Sequence, residues 1–330
     1  MKKYVRLAVG VAVAALFLVL IFQQVNPGEI ARILSATHLS WLFGALAAFV
    51  FGYVCRIARW QVLLQPVNAA IRWRDCAGPF LASFALNNVL PFRAGDVVRA
   101  FAFNKRLGVG AGPVLATLLI ERLLDLLAVL VSLAIALFLF APQGALIGLR
   151  TWAPGLILLT SALILALILM PGLFHWPIRL GVKFLARFAP GLAQKIGDEA
   201  ERAFAALGAY AHWRALAAML LWTLGAWLGE AAVFVGVAFA ISELVQPLGA
   251  ILALPLATLA TLIPSTPGYV GTFDYFAVLA LKQTGNSAAA ATAFALLTHL
   301  LLWLPPTVIG GAYLLLQRWL HKPALVEETP

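Results

Sequence analysis

The chain has 330 residues, of which 63% are hydrophobic and only 11% charged, where a soluble domain carries about 25% charged residues; its mean hydropathy is +0.97. This balance excludes a soluble domain, and apolar stretches of helix length exclude a β-barrel, whose strands need only ~10 alternating residues. The net charge of +10 does not indicate nucleic acid, because the basic residues gather in the loops of one side.

From the N-terminus, Lys2, Lys3 and Arg6 precede an apolar run from Leu7 to Phe22. The run is longer than a typical signal-peptide core and no clear Ala-x-Ala site follows, so it reads as a first span. Uninterrupted crossings read as 5–24, 40–60, 111–140, 154–174, 214–241 and 286–316. Two shorter apolar stretches, 76–90 and 248–263, stop at Pro91 and Pro264. Each is followed by a Gly-rich break, with Pro267 in the second, and then by another half-helix, 96–106 or 272–284. These predict re-entrant hairpins over 76–106 and 248–284, each entering and leaving on one face. The expected fold is therefore all-α: a polytopic membrane helix bundle over 1–330, with about six full crossings and two re-entrant helical hairpins.

Basic residues orient this bundle. The cytoplasmic side receives Lys2, Lys3 and Arg6; Arg56, Arg59, Arg72 and Arg74 in a 56–74 loop; and Arg93, Arg99, Lys105 and Arg106 at the first hairpin. It also receives Arg179, Lys183, Arg187, Lys195, Arg202 and Arg214, then Arg318 and Lys322. Arg32, Arg150 and Lys282 stay outside, and Arg122 lies within a span. Such asymmetry places both termini in the cytoplasm, as in a bacterial inner-membrane protein. The linker over 175–213 mixes Ile178, Leu180, Phe184 and Phe188 with Arg179, Lys183 and Arg187, which suits a helix lying on an anionic leaflet. Cys55 and Cys76 read as small apolar residues beside the 56–74 loop, with no disulfide or metal framework. Several tryptophans, Trp60 among them, fall near span ends, as in an interfacial belt.

The two hairpins match internally. Pro91 to Gly95 spans four residues, as does Pro267 to Gly271. A further glycine follows 13 residues on in one (Gly108) and 14 in the other (Gly285), and a polar intramembrane group follows again 13 and 14 residues on: Glu121-Arg122 and His299. Crossings starting near 111, 154 and 214 separate the hairpins, and this odd number inverts the second relative to the first. Two inverted repeats are expected, about 40–174 and 214–316, with a substrate site where their breaks meet near the midplane.

Asp96, Glu121, Arg122, Asp125, Glu230, Asp274 and His299 fall at membrane depth, where a charge costs roughly 2.5–3.5 kcal/mol and must find a partner. Arg122 reaches Asp125 along its own helix, leaving Glu121 to Arg93 or Arg99. This set serves equally as a structural ion-pair network and as a headgroup or proton site. Arg93 and Arg99 are the candidate phosphate ligands, beside half-helix N-termini that favour anions. Gly95, Gly268 and Gly271 allow close backbone approach. Asn87 and Asn88 coordinate a ligand or cap freed carbonyls; Asp274 caps its half-helix or carries a proton; Tyr275 completes the candidate set. No Gly-rich nucleotide loop, Cys/His metal spacing or recognisable nucleophile is present, so no cofactor, metal or catalytic residue is expected.

The run Asn87-Asn88-Val89-Leu90-Pro91-Phe92-Arg93-Ala94-Gly95-Asp96 with Arg99, then Glu121-Arg122 and Asp125, resembles one signature of the lysyl-phosphatidylglycerol synthase transmembrane (flippase-like) family. The run from Pro264 to Phe273, then Gly285 and His299, resembles the other. Asp96 stands where typical members carry glutamate. The resemblance implies movement of lipids between leaflets; in larger members this domain flips an aminoacylated phospholipid made by a fused synthase domain, which is not expected here. The expectation is an inner-membrane flippase for an anionic phospholipid or a polyprenyl-phosphate lipid, alone, as a homo-oligomer or beside a lipid- or glycan-synthesis partner. The alternatives are a non-transporting scaffold subunit and a membrane-embedded glycosyl or aminoacyl transferase.

Overall fold

The computed structural model describes residues 26–90, 93–140, 147–169, 172, 175–208, 213–263 and 266–320, together with Phe17, Val19 and Ile21. Most of the expected 5–24 crossing, and the break residues Pro91 and Pro264, lie outside the described residues. Among the described residues every regular element is a helix. In chain order they are α1 (Pro27–Ser35), α2 (Leu39–Leu64), α3 (Trp73–Val89), α4 (Ala94–Ala102), α5 (Asn104–Leu107), α6 (Ala111–Phe140), α7 (Ile147–Leu169), α8 (His175–Ala186), α9 (Pro190–Gly208), α10 (Trp213–Ala240), α11 (Ala250–Ala260), α12 (Thr272–Gln283) and α13 (Ala288–Leu320). Four of these, α2, α6, α10 and α13, are long and apolar enough to cross a membrane, and α7 carries a shorter apolar stretch over Thr151–Ala166. The chain is a multi-pass membrane protein.

Local chemistry sets the helix ends that matter for the site. The α3 helix starts where the Arg72 N–H donates to the Asp75 carboxylate at 3.0 Å. That bond, with the neighbouring guanidinium, holds the Asp75 carboxyl below the usual aspartate range. It stops before Pro91, which disfavours helical backbone in the residue ahead of it. The α12 helix starts the same way, with the Gly271 N–H donating to Asp274 at 2.9 Å. Gly271 has φ +86°, a left-handed conformation open to glycine.

Two expectations fail in the same region. The crossing expected over 40–60 continues to Leu64, so Arg56 and Arg59 belong to a membrane helix and not to a loop. Charge made this stretch read as a loop, but the Arg59 guanidinium is buried and the Arg56 one mostly so, each against a carboxylate of another helix. The helix ends only at Gln65, just ahead of Pro66, which cannot continue it. Cys55 and Cys76 are likewise buried within α2 and α3, and Trp60 is fully buried with its indole N–H donating to Thr117. The 175–213 linker is two helices, α8 and α9, packed on each other, with α9 also against α6. Arg179 pairs with Glu201 across them, and Trp176, Phe184 and Phe188 remain exposed.

The most extensive packing between helices joins α2 to α10. A Cβ added to Gly229 would stand 2.8 Å from the Gly52 Cα and 2.9 Å from the Ala48 carbonyl oxygen. Small residues let helix backbones approach closely where lipid offers no hydrophobic drive for association. Gly229→Leu is therefore expected to destabilise the fold by about 1–3 kcal/mol through overpacking. Gly44→Leu, on an open face of α2 with nothing within 4 Å, serves as the silent control. SDS titration in mixed micelles reads both; equal stability would show that this seam does not hold the bundle.

Candidate functional site

A cavity of about 370 Å³ lies between α2, α6, α10, the end of α11, the break before α12, and α13. Aromatic side chains, including Tyr53, Trp227, Tyr269 and Trp303, form much of its wall. Its charged lining comprises Arg56, Arg93, Arg122, Asp125, Glu230 and His299.

Almost every one of these charges is matched. Arg56 Nη2 donates to Glu230 Oε2 at 2.8 Å, joining α2 to α10. Arg59 Nη1 donates to Asp125 Oδ1 at 2.8 Å and to Thr223 Oγ1 at 3.1 Å. Asp125 also accepts from the Trp227 indole N–H at 3.2 Å. Arg122 reaches Asp96 at 3.0 Å and Asp125 at 3.8 Å. Asp96 accepts further bonds from Asn87 Nδ2 at 2.9 Å and Ser83 Oγ at 3.2 Å. That contact depends on Gly95: a Cβ there would lie 2.0 Å from the Ser83 carbonyl oxygen, so any side chain would force α4 away from α3. Within the second half, His299 Nδ1 meets Asp274 Oδ1 at 2.8 Å and His299 Nε2 meets the Gly268 carbonyl oxygen at 2.8 Å.

Arg93 is different. It has no carboxylate partner among the described residues. Its Nε donates to the Tyr269 hydroxyl at 2.9 Å, and its guanidinium carbon stands 5.8 Å from that ring's centre. Its own backbone is left-handed, at φ 51°, which costs a non-glycine residue about 1–3 kcal/mol and tends to persist at functional sites.

The candidate residues separate into groups. Asn88, Arg93, Arg122, Asp125, Gly268 and His299 line the cavity. Asn87, Gly95, Asp96, Gly271 and Asp274 hold those residues in place through the contacts above, and Pro267 opens the short helical turn Pro267–Tyr269 at the break. Arg99 and Glu121 do not line the cavity; they form a pair of their own at 2.5 Å, 0% and 3% exposed, with the guanidinium 4.8 Å from the Trp60 ring and 4.9 Å from that of Phe80. Tyr275 faces elsewhere, its ring 5.0 Å from Phe17. Sequence reasoning left Arg56, Arg59, Trp227 and Tyr269 out of the site, and named Glu230 at membrane depth without assigning it a partner. Charge matching was the available signal for the arginines: the acids at membrane depth need more bases than Arg93, Arg99, Arg122 and His299 supply.

Comparison with known proteins now bears on this geometry. The family described as "Lysylphosphatidylglycerol synthase TM region" matches residues 7–310. The chain belongs to that family. A curated relative, glycosyltransferase AglD of Haloferax volcanii, is 26% identical over 147 residues, which is 44% of this chain and 24% of the relative. The match thus spans about a quarter of that protein's length.

The Arg99–Glu121 pair yields a direct test of structural against binding roles. Among the described residues Arg99 Nε and Nη1 and Glu121 Oε1 have no hydrogen-bond partner, so the pair relies on one contact and two rings. Removing one partner strands the other; Glu121→Leu should cost about 3–5 kcal/mol in SDS-titration stability, whereas Arg99→Met with Glu121→Leu should regain most of that loss. A double variant as unstable as the single one would mean that the pair does more than neutralise itself.

Proposed function

We propose that this protein moves an anionic lipid between the leaflets of a bacterial inner membrane, binding the headgroup in the charged cavity. The observation that carries this reading is Arg93, a cation without a carboxylate partner in a cavity whose other charges are matched. Arginine is suited to phosphate because its planar fork makes two parallel hydrogen bonds. An apolar groove of about 600 Å³ adjoins the cavity, lined by α6, α10 and α11, and Trp227 lines both. On α6, Arg122, Asp125, Leu126 and Val129 face the cavity, while Leu124, Leu127, Ala128, Val131 and Ile135 form the next stripe and face the groove. From Leu124 to Ile135 the groove runs about 17 Å along the helix, close to half of a ~30 Å hydrocarbon core. A polar chamber beside an apolar channel one leaflet deep suits an amphiphile, either a phospholipid or a polyprenyl-phosphate lipid.

The packing supports inverted repeats with re-entrant hairpins. The α3 helix of the first hairpin packs on α13, the helix that follows the second hairpin, and α11 of the second hairpin packs on α6, the helix that follows the first. The opening helices α2 and α10 pack on each other. Such reciprocity is what a two-fold relation produces. The α11 and α12 helices have 11 and 12 residues, too short to span a core that needs about 20. In this reading both termini face the cytoplasm, and rocking of the halves exposes the cavity to one side and then the other.

The test is transport by the purified chain in liposomes, using headgroup-labelled phosphatidylglycerol, lysyl-phosphatidylglycerol and a polyprenyl-phosphate sugar. One of these is expected to cross, with Arg93→Ala slowing it at least tenfold, equivalent to about 1.4 kcal/mol. Folded protein that moves none of them would overturn the reading. The name of the Haloferax relative suggests a transferase instead, and product formation by the pure chain from a nucleotide-sugar donor would establish that alternative.

A further inference from the structure

Both ring nitrogens of His299 face oxygens. Nδ1 lies 2.8 Å from Asp274 Oδ1 and Nε2 lies 2.8 Å from the Gly268 carbonyl oxygen. A carbonyl only accepts, and so does an ionised carboxylate; a neutral imidazole has a single N–H to offer. With neutral histidine and ionised aspartate, one of the two contacts would set lone pair against lone pair in a largely buried site. The other Asp274 oxygen is already engaged by the Gly271 N–H at 2.9 Å. One added proton satisfies every contact, as imidazolium with carboxylate or as neutral histidine with carboxylic acid. The composition is the same in both cases, and the pair is neutral overall.

The same turn carries the cation. Gly268 and Tyr269 are consecutive: the Gly268 carbonyl is held by His299, and the Tyr269 hydroxyl accepts from Arg93. Both residues are left-handed, at φ 73° and 61°, a conformation free to glycine but strained for Tyr269, and these two ties link the turn to His299 and to Arg93. The other charges facing the cavity are Arg56 and Glu230, which pair with each other, and Arg122 and Asp125, which pair within the Asp96 and Arg59 network. Tyr53 and Tyr269 are the remaining titratable groups in the wall. Loss of the proton would therefore add an unmatched negative charge beside the single unmatched positive one.

We infer that His299 and Asp274 form a proton-binding site linked to anion binding at Arg93, so that the proton is a co-ligand of the anionic lipid. The proton enters from water through the cavity and returns to water when the anion leaves; no covalent bond changes. Linkage is reciprocal: the proton strengthens anion binding, and the anion strengthens proton binding to the same extent. Anion affinity should thus be full at low pH and fall as pH rises through the range where the pair deprotonates, by at most about tenfold per pH unit for a single proton. The lipid identity of the ligand rests on the function proposed above, but the linkage itself can be read from binding alone.

The experiment uses the full chain in nanodiscs of zwitterionic lipid, titrated with dihexanoyl-phosphatidylglycerol. Its phosphodiester keeps one charge over the whole pH range, so any pH dependence belongs to the protein. Calorimetry in buffers of different ionisation enthalpy counts the protons taken up. Wild type should take up as much as one proton per ligand on the alkaline side and lose affinity as pH rises through the range where the pair deprotonates. His299→Gln, which can hydrogen-bond but does not titrate, should bind with no proton uptake and a flat pH profile. Asp274→Asn leaves only the imidazole to titrate, and His299→Gln combined with Asp274→Asn leaves neither group. Binding by wild type without proton uptake at any pH overturns the inference, as does uptake that persists in the double variant. Proton-linked binding without transport would sink the transport proposal and leave this one standing. Transport with proton-free binding would do the reverse, and no binding at any pH overturns both.

Discussion

A charge left alone at the centre of a bilayer costs roughly 2.5–3.5 kcal/mol, so a bundle that keeps several of them must bring acids and bases from different helices together. Here that need coincides with the shape of the cavity. Arg59 with Asp125 ties α2 to α6, and Arg56 with Glu230 ties α2 to α10. Arg122 with Asp96 ties α6 to α4, and His299 with Asp274 ties α13 to α12. The helices around the chamber are thus positioned by the polar groups that make it polar. The Arg99–Glu121 pair does the same between α4 and α6, closed off by Trp60 and Phe80.

Charge pairing alone would not bring the partners within hydrogen-bond reach. Close seams supply the rest: Gly52 against Gly229 sets α2 and α10 near enough for Arg56 to meet Glu230 one turn further on, and Gly95 against the Ser83 carbonyl lets Asn87 reach Asp96. Trp227 completes the arrangement as a partition. Its indole N–H is held by Asp125, so the ring stands with its polar edge toward the ion pairs and its apolar body against the groove. A tryptophan with one wet edge and one dry face suits such a boundary.

How far the sequence carried this picture follows from which signals are local. Apolar length and the paired Pro/Gly breaks locate α2, α6, α10, α13 and the two short-helix pairs, because span length is set by bilayer thickness and breaks by residue chemistry. The i,i+3 contact of Arg122 with Asp125 and the capping role of Asp274 are equally local. Arg56 and Arg59 mislead for the opposite reason: in isolation two arginines at the end of an apolar run look like a loop, and only Asp125 and Glu230, 66 and 174 residues away, explain them as buried. Tyr275 is the converse case, since standing next to Asp274 on a helix turns its ring by about 100° from the side that meets His299, toward Phe17.

The distribution of the ion pairs also bears on how the proposed rocking would proceed. Arg59–Asp125, Arg99–Glu121 and Arg122–Asp96 lie wholly within the first half of the chain, and His299–Asp274 lies wholly within the second. Among the described ion pairs at membrane depth, Arg56–Glu230 crosses between the halves. Other polar ties across that boundary have a neutral group on at least one side, among them Arg93 to Tyr269, Asn88 to Thr307 and the Trp303 carbonyl, Arg106 to Tyr313, Trp227 to Asp125, and Arg59 to Thr223. Each half would thus keep its own charges neutralised while moving, so the motion would not have to pass through a state with many stranded ions. Among the contacts it would break is the Arg93–Tyr269 tie at the cavity, where an anionic headgroup could take over as the partner of Arg93. A site at which the ligand replaces polar ties between two halves that each neutralise their own charges is one where binding can shift the balance between their arrangements, because the ligand then interacts differently with each.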